Sequence, residues 1–370
     1  MREEIDIKTE RLVEMLAKHD LSGVLLNGRH NFAWMTAGGD NGVDRSRENG
    51  IASVMVTRTG SRYLLASNIE MPRMLAEEIS PEFFEPVAFS WQDEKSSGTF
   101  LTDTAAKIAG GEVASDIFLN PGTSAIDGLI AECRCELAPR ETERFRALGS
   151  DAASALDSLV GRIRPGMTEL AIAAMMRDEM ARNMIEPVVT LVAADERIAN
   201  FRHPVPTRKA WSETLLLVTC AKRGGLIASL SRMITVGQPH SELVEKTEAA
   251  AFVHAKLLAA TRPGAKGADL YQVAKEAYEE ACFPGEIDKH HQGGAAGYRT
   301  REWVAHPKSG EVVRAGQAFA WNPTITGTKV EDTVILTEQG PQTITGTSMF
   351  PTVSHTVDGR EYRSAGILRV

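Results

Sequence analysis

His203, in Asn200-Phe-Arg-His-Pro204, is a candidate proton shuttle, because an imidazole can take up and return a proton near neutral pH. The same residue can equally be a loop histidine bonded to a backbone carbonyl. Arg301, in Tyr298-Arg-Thr-Arg301-Glu302, and Arg47, in a Gly-rich loop, each carry a guanidinium fork that can grip a carboxylate with two parallel bonds. Each can also be a solvated loop arginine, which is how Arg45 reads. Glu302 and Glu331 are carboxylates that could orient His203 or a water molecule, or instead pair with Arg301 or Arg232. Ser229 and Asn322 are neutral hydrogen-bonding groups suited to a polar, uncharged part of a ligand.

The cysteines offer less. Cys220 lies in the strand-like run Leu217-Val-Thr-Cys and reads as core, and Cys133-Arg-Cys135 reads as two reduced thiols. With Cys282 they form no disulfide framework and no zinc-type Cys-x-x-Cys pair. Gly293-Gly-Ala-Ala-Gly297 matches neither the dinucleotide fingerprint nor the Walker pattern. Met175, Met176 and Met180 read as packing residues of a helix.

Elements must position these groups. Ile7, Leu12, Met15 and Leu16 predict a first helix, followed by strand-type runs at Gly23-Val-Leu-Leu, Ile51-Ala-Ser-Val-Met-Val and Tyr63-Leu-Leu-Ala. The loop Gly38 to Gly50, which carries Arg47, is long enough to be functional rather than merely connecting. From Phe145, the residues Leu148, Ala152, Leu156, Leu159 and Ile163 recur at spacings of three and four, a long amphipathic helix. It stops at Arg164-Pro-Gly166, and a second helix runs from Thr168 to about Met184. A helix, Arg262-Pro-Gly264 and another helix from Ala268 to Ala281 repeat this arrangement, followed again by strand-like sequence. Two similar halves imply a pseudo-symmetric domain with a site between them. The change of character places a domain boundary between residues 139 and 140.

Composition narrows the class. The chain has 370 residues, 43% apolar and 24% charged, close to the average for globular proteins, so it can bury a core without staples. Its net charge of -8 argues against a nucleic-acid partner, which would favour a basic stripe. No apolar run approaches the length of a membrane span, and the charged start Met1-Arg-Glu-Glu lacks a signal-peptide pattern. A cytoplasmic protein with no membrane partner is the expectation.

Six segments, in order and spacing, resemble the superfamily of creatinase, prolidase, aminopeptidase P and methionine aminopeptidase. They are Arg140-Glu-Thr-Glu-Arg-Phe-Arg-Ala, Ile163-Arg-Pro-Gly-Met-Thr-Glu-Leu, the segment around His203, Ser229-Leu-Ser-Arg-Met-Ile-Thr-Val-Gly, Gly293-Gly-Ala-Ala-Gly-Tyr and Glu331-Asp-Thr-Val-Ile-Leu-Thr-Glu-Gln-Gly. The resemblance implies an α/β (α+β) chain: a small creatinase/prolidase-like N-terminal domain, residues 1–139, and a pita-bread domain, residues 140–370. It also implies a homodimer, in which the small domain can reach the partner's site.

The resemblance further implies where two metal ions would be held, and most of those ligands are missing. The two aspartates fall at Val218 and Ser229, the histidine at Gly294, and the glutamates at Asn322 and Glu331. Hard divalent cations want several oxygen or nitrogen ligands, so no metal and no other cofactor is expected, unless His290 or His291 replaces one ligand. By the same resemblance His203 falls at the acid–base histidine of creatinase, and Arg301 and Arg47 at its carboxylate-binding arginines. The glutamates that hold creatine's guanidinium fall at Ser229 and Asn322, so creatine itself is a poor candidate. The resulting expectation is a metal-independent hydrolase of a C–N bond in a small carboxylate-bearing molecule. His203, Glu331 and Glu302 would be catalytic, and Arg47, Arg301, Ser229 and Asn322 would bind substrate. The alternatives are an Xaa-Pro dipeptidase or aminopeptidase-type metallopeptidase, and a non-catalytic binding protein on the same scaffold.

Overall fold

The strand-type runs of the first half assemble into one mixed five-stranded sheet. Its order is Glu85–Phe89, Arg62–Ser67, Asn49–Thr57, Gly23–Gly28 and Val113–Ser115. The three central strands are antiparallel neighbours, and both edge strands run parallel to their partners. Leu25, Met55 and Leu65 point from successive strands into one apolar cluster with Ala105 and Val113, as the two-residue period of a strand requires. The loop from Gly38 to Gly50 is pinned by the buried Asn41, whose amide donates to the carbonyls of Asn27 at 2.9 Å and Ala52 at 2.7 Å.

The computed structural model describes residues 1–370, which divide into two compact units, Met1–Glu141 and Thr142–Val370. The helix Pro139–Val160 carries the chain from one unit into the other. Phe145, Leu148, Ala152, Leu156 and Leu159 are all buried along it, so the stripe predicted from their spacing is the packed face. The next helix, Glu169–Arg182, begins on Thr168, whose hydroxyl accepts a bond from the Ala171 N–H at 3.2 Å. Replacing Thr168 with Ala removes that cap and is expected to cost about 1 kcal/mol. In a unit of this size that lowers the melting temperature by about 2–4 °C in a thermal scan.

The repeat of the helical halves is real at the level of the backbone. Both turn glycines adopt the left-handed region, Gly166 at φ +90° and Gly264 at φ +91°. Each donates its N–H to a carbonyl well downstream, Gly166 to Trp211 at 2.7 Å and Gly264 to Val313 at 2.9 Å. A side chain at either position would have open space but a strained backbone, which is why both turns carry glycine.

Each half then supplies a sheet. The first is Ile367–Arg369, Leu226–Thr235, Thr214–Arg223 and Glu186–Ala194; the second is Trp303–Val304, Gly293–Ala296, Ala318–Trp321, Asp332–Thr337 and Gly340–Thr343. The second half's helices, Ser241–Ala260 and Gly267–Glu280, pack Leu257, Leu270 and Tyr278 against Phe319, Trp321 and Val334. A single antiparallel bridge, Ser231 to Glu331, joins the two sheets, with the Ser231 N–H 3.1 Å from the Glu331 carbonyl. That bridge forms the floor beneath the candidate site. No helix is long and apolar enough to cross a membrane.

Candidate active site

Strand ends converge above this bridge. The hairpin Thr214–Arg223/Leu226–Thr235 brings Val218, Cys220 and Ser229 to one side, since Cys220 pairs with Ser229 in register. Asn322 follows the strand Ala318–Trp321, and Glu331 precedes the strand Asp332–Thr337. His290 and His291 follow a short 3-10 turn, Pro284–Lys289. His203 stands on a loop anchored by its neighbour Arg202, which donates to Glu286 at 2.7 Å and Thr326 at 2.8 Å. A cavity of about 150 Å³ lies among them, lined by His203, Cys220, His291, Arg301, Asn322, Lys329 and Glu331 together with apolar Val189, Leu191 and Val218. That volume suits a ligand fragment of about benzene size.

The charges are arranged around one carboxylate. Glu331 is buried, and its oxygens are shared between Arg301 at 2.9 Å, Lys329 at 2.7 Å and the Ser231 hydroxyl at 2.5 Å. Burial alone would push this carboxyl up, but Lys329 and Arg301 hold it down at about 2. Arg301 spreads its other hydrogens over the Ser229 hydroxyl at 3.3 Å, the Asn322 amide oxygen at 2.9 Å and the Thr300 carbonyl at 2.6 Å. Its Nε–H is buried without a partner, and Lys329 has three ammonium hydrogens of which Glu331 takes one. Two cations facing one anion leave the cavity with positive charge to spare.

Three imidazoles cluster here, of which His203 and His291 line the cavity. His203 and His290 meet edge to face with ring centres 4.9 Å apart, and His290 stacks on His291 at 4.4 Å. Loss of water around its inner face, and then Lys329, hold the pKa of His203 below the usual imidazole value, although part of the ring is exposed. His291 is pushed down to about 4 by burial, Arg301 and Lys329. Burial, with Lys329 next, also lowers His290 strongly. All three are therefore neutral at pH 7. Cys220 has its thiol pushed up by burial and then by Glu331, which disfavours the thiolate that a nucleophile needs.

Of the residues singled out in the sequence, His203, Arg301, Ser229, Asn322 and Glu331 come together. Glu302 is placed otherwise: its carboxylate accepts the backbone N–H groups of Tyr298 at 3.0 Å and Arg299 at 3.2 Å, and it does not line the cavity. It clamps the turn that presents Arg301. Arg47 lies on an exposed loop of the first unit with its Nε 3.3 Å from Asp44, and the cavity lining is drawn from the second unit. Lys329 was missed in the sequence. Its one cue is a spacing of two residues from Glu331, which in an extended segment turns both side chains the same way.

A profile of metallopeptidase family M24 matches residues 143–338, more than half of the chain. The chain belongs to metallopeptidase family M24. An Xaa-Pro dipeptidase of Lactobacillus helveticus is 26% identical over 236 residues, which is 61% of this chain and 64% of that protein. The structure of an Xaa-Pro dipeptidase from Bacillus anthracis superposes with a TM-score of 0.76 at 18% identity, covering 98% of this chain and 99% of that one. The N-terminal domain of the FACT complex subunit SPT16 from Cicer arietinum gives a TM-score of 0.69 at 10% identity over 93% of this chain and 97% of that one. These likenesses confirm the pita-bread architecture, and a fold shared this widely does not by itself fix a reaction.

The residues that stand where the resemblance places the metal ligands do not fit a metal pair. Val218 has no donor atom, and Ser229 and Asn322 both turn an oxygen to the Arg301 guanidinium. At Gly294 any Cβ would collide with the Trp303 carbonyl, so no histidine can stand there with this backbone. Glu331 is the sole carboxylate, and both its oxygens are held by cations. Arg301 and Lys329 bring two positive charges to this one carboxylate.

Proposed function

We propose that this M24 chain hydrolyses a C–N bond in a small, carboxylate-bearing, dipeptide-like substrate without the metal pair of its relatives. The observation that carries the reading is the unbalanced cation pair, Arg301 and Lys329, on one buried carboxylate beside the neutral imidazole of His203. The unused Nε–H of Arg301 and the free hydrogens of Lys329 suit a substrate carboxylate. His203 takes a proton from water as its oxygen attacks the carbonyl carbon, then returns that proton to the leaving nitrogen. The relatives' Xaa-Pro dipeptidase names and the small cavity support short substrates, with dipeptides ending in proline the first to assay. Four reduced cysteines accord with a cytoplasmic location.

A second reading, a metal-dependent dipeptidase, is favoured by the relatives and by one further feature. Donor atoms of His203, His290 and His291 lie within 4.8 Å of one another, a grouping able to hold a metal ion. Chelation separates the two readings. Under the first, protein dialysed against a chelator is expected to keep its full kcat on any dipeptide it cleaves. Under the second, chelation abolishes turnover and added zinc, manganese or cobalt restores it.

A further inference from the structure

We propose that Arg301, acting through Asn322 and His290, fixes which ring nitrogen of His203 carries its proton, so that His290 is a positioning residue for His203. The argument begins at a group that can only donate. A guanidinium has no acceptor atom, so the Asn322 atom 2.9 Å from Arg301 Nη2 must be the amide oxygen. At the other end, the Asn322 nitrogen lies 3.2 Å from the backbone carbonyl oxygen of His291, which can only accept. Both ends are unambiguous, so the amide has one orientation. Gly293 permits this placement, because a Cβ there would stand 2.8 Å from the Asn322 oxygen.

The second amide hydrogen of Asn322 faces His290 Nδ1 at 3.3 Å. That nitrogen must therefore be bare. A neutral imidazole with a bare Nδ1 carries its hydrogen on Nε2. His290 Nε2 lies 3.2 Å from His203 Nε2, so the hydrogen is donated across this gap. His203 Nε2 is then the acceptor, and the hydrogen of His203 sits on Nδ1. A chain of four side chains, Arg301 to Asn322 to His290 to His203, thus runs in one direction only.

The polarity has a consequence for proton transfer, and this part rests on the acid–base role proposed above. In the resting protein the lone pair of His203 is covered by His290, while its Nδ1–H is a hydrogen-bond donor. A water molecule or a substrate N–H reaches the basic nitrogen only by displacing His290. The base is held out of use until the site is filled.

The test is long-range proton–nitrogen NMR of the imidazole rings in 15N-labelled full-length protein, without substrate, at neutral pH. Signals are assigned with the single variants His203→Ala and His290→Ala. The expected spectrum has a protonated Nε2 and bare Nδ1 for His290, and the reverse for His203. Asn322→Asp presents an acceptor to His290 Nδ1 and is expected to reverse both rings. A wild-type His203 protonated on Nε2 overturns the proposal, as does an Asn322→Asp spectrum with both tautomers unchanged. The wild-type spectrum decides even where a variant fails to fold. The tautomers are read without turnover, so an inactive protein with the expected spectrum would sink the acid–base role and leave the relay standing.

Discussion

His203→Ala is expected to lower kcat on a cleaved dipeptide by about 10²–10⁴-fold, the range that a positioned acid–base group contributes. The anion-binding groups Arg301 and Lys329 belong to other segments and pair with Glu331 rather than with His203. Substrate affinity, read by calorimetry or by ligand stabilisation of the folded state, is therefore expected to persist in the variant. Loss of binding together with turnover would count against an acid–base role. The wild-type pH profile gives a second check. Burial and Lys329 hold the His203 pKa below its ordinary value of 6.5, so the basic form is kept to lower pH than in a free imidazole. The acidic limb of kcat/KM is accordingly expected below pH 6.5, and its loss in His203→Ala would tie the limb to this residue.

Glu331→Gln is expected to destabilise the second unit by about 3–5 kcal/mol, the usual cost of removing one partner from a buried ion pair. The glutamine keeps the shape of the side chain but leaves Arg301 and Lys329 facing each other in the cavity without an anion. Denaturant titration measures the loss, and an effect below about 1 kcal/mol, typical of an exposed pair, would show that these cations are solvated rather than bound to Glu331. The pH dependence has a definite sign. The Glu331 pKa is depressed in the folded state to about 2, from an ordinary 4.5. Its contribution is therefore complete above pH 4.5 and is lost as pH falls from there towards 2. By linkage it amounts to about 3 kcal/mol. The Glu331→Gln variant should lack this component of acid denaturation.

The local elements were legible because their signals are local. The stripe from Phe145 to Leu159 faces the core, and the two Arg-Pro-Gly turns sit at matching left-handed glycines because proline and glycine punctuate a helix in any context. The family resemblance carried Arg301, Ser229, Asn322, Glu331 and His203 to one site, where the structure brings them together. The bonds of Glu302 to backbone N–H groups were not legible, because they depend on a tight turn that residue types alone do not fix. Lys329 is hard to read because its spacing of two from Glu331 is a weak cue and a single lysine gives no sign of burial. The sequence offers the histidine pair at 290 and 291 only as replacement metal ligands.

The sequence by itself determined which atom types stand where the resemblance places the M24 ligands: Val218, Ser229, Gly294 and Asn322 supply no carboxylate or imidazole whatever the fold does, and Glu331 supplies one carboxylate. What surrounds that carboxylate was decided only in three dimensions. Arg301 and Lys329 approach Glu331 from separate segments, and the direction of the hydrogen bonds from Arg301 to His203 depends on distances near 3 Å between residues up to 87 positions apart in the chain, as from His290 to His203. Hydrogen bonds and ion pairs act over such short distances that residue types alone leave their partners open, and only the packing of the two sheets across the Ser231–Glu331 bridge selects them.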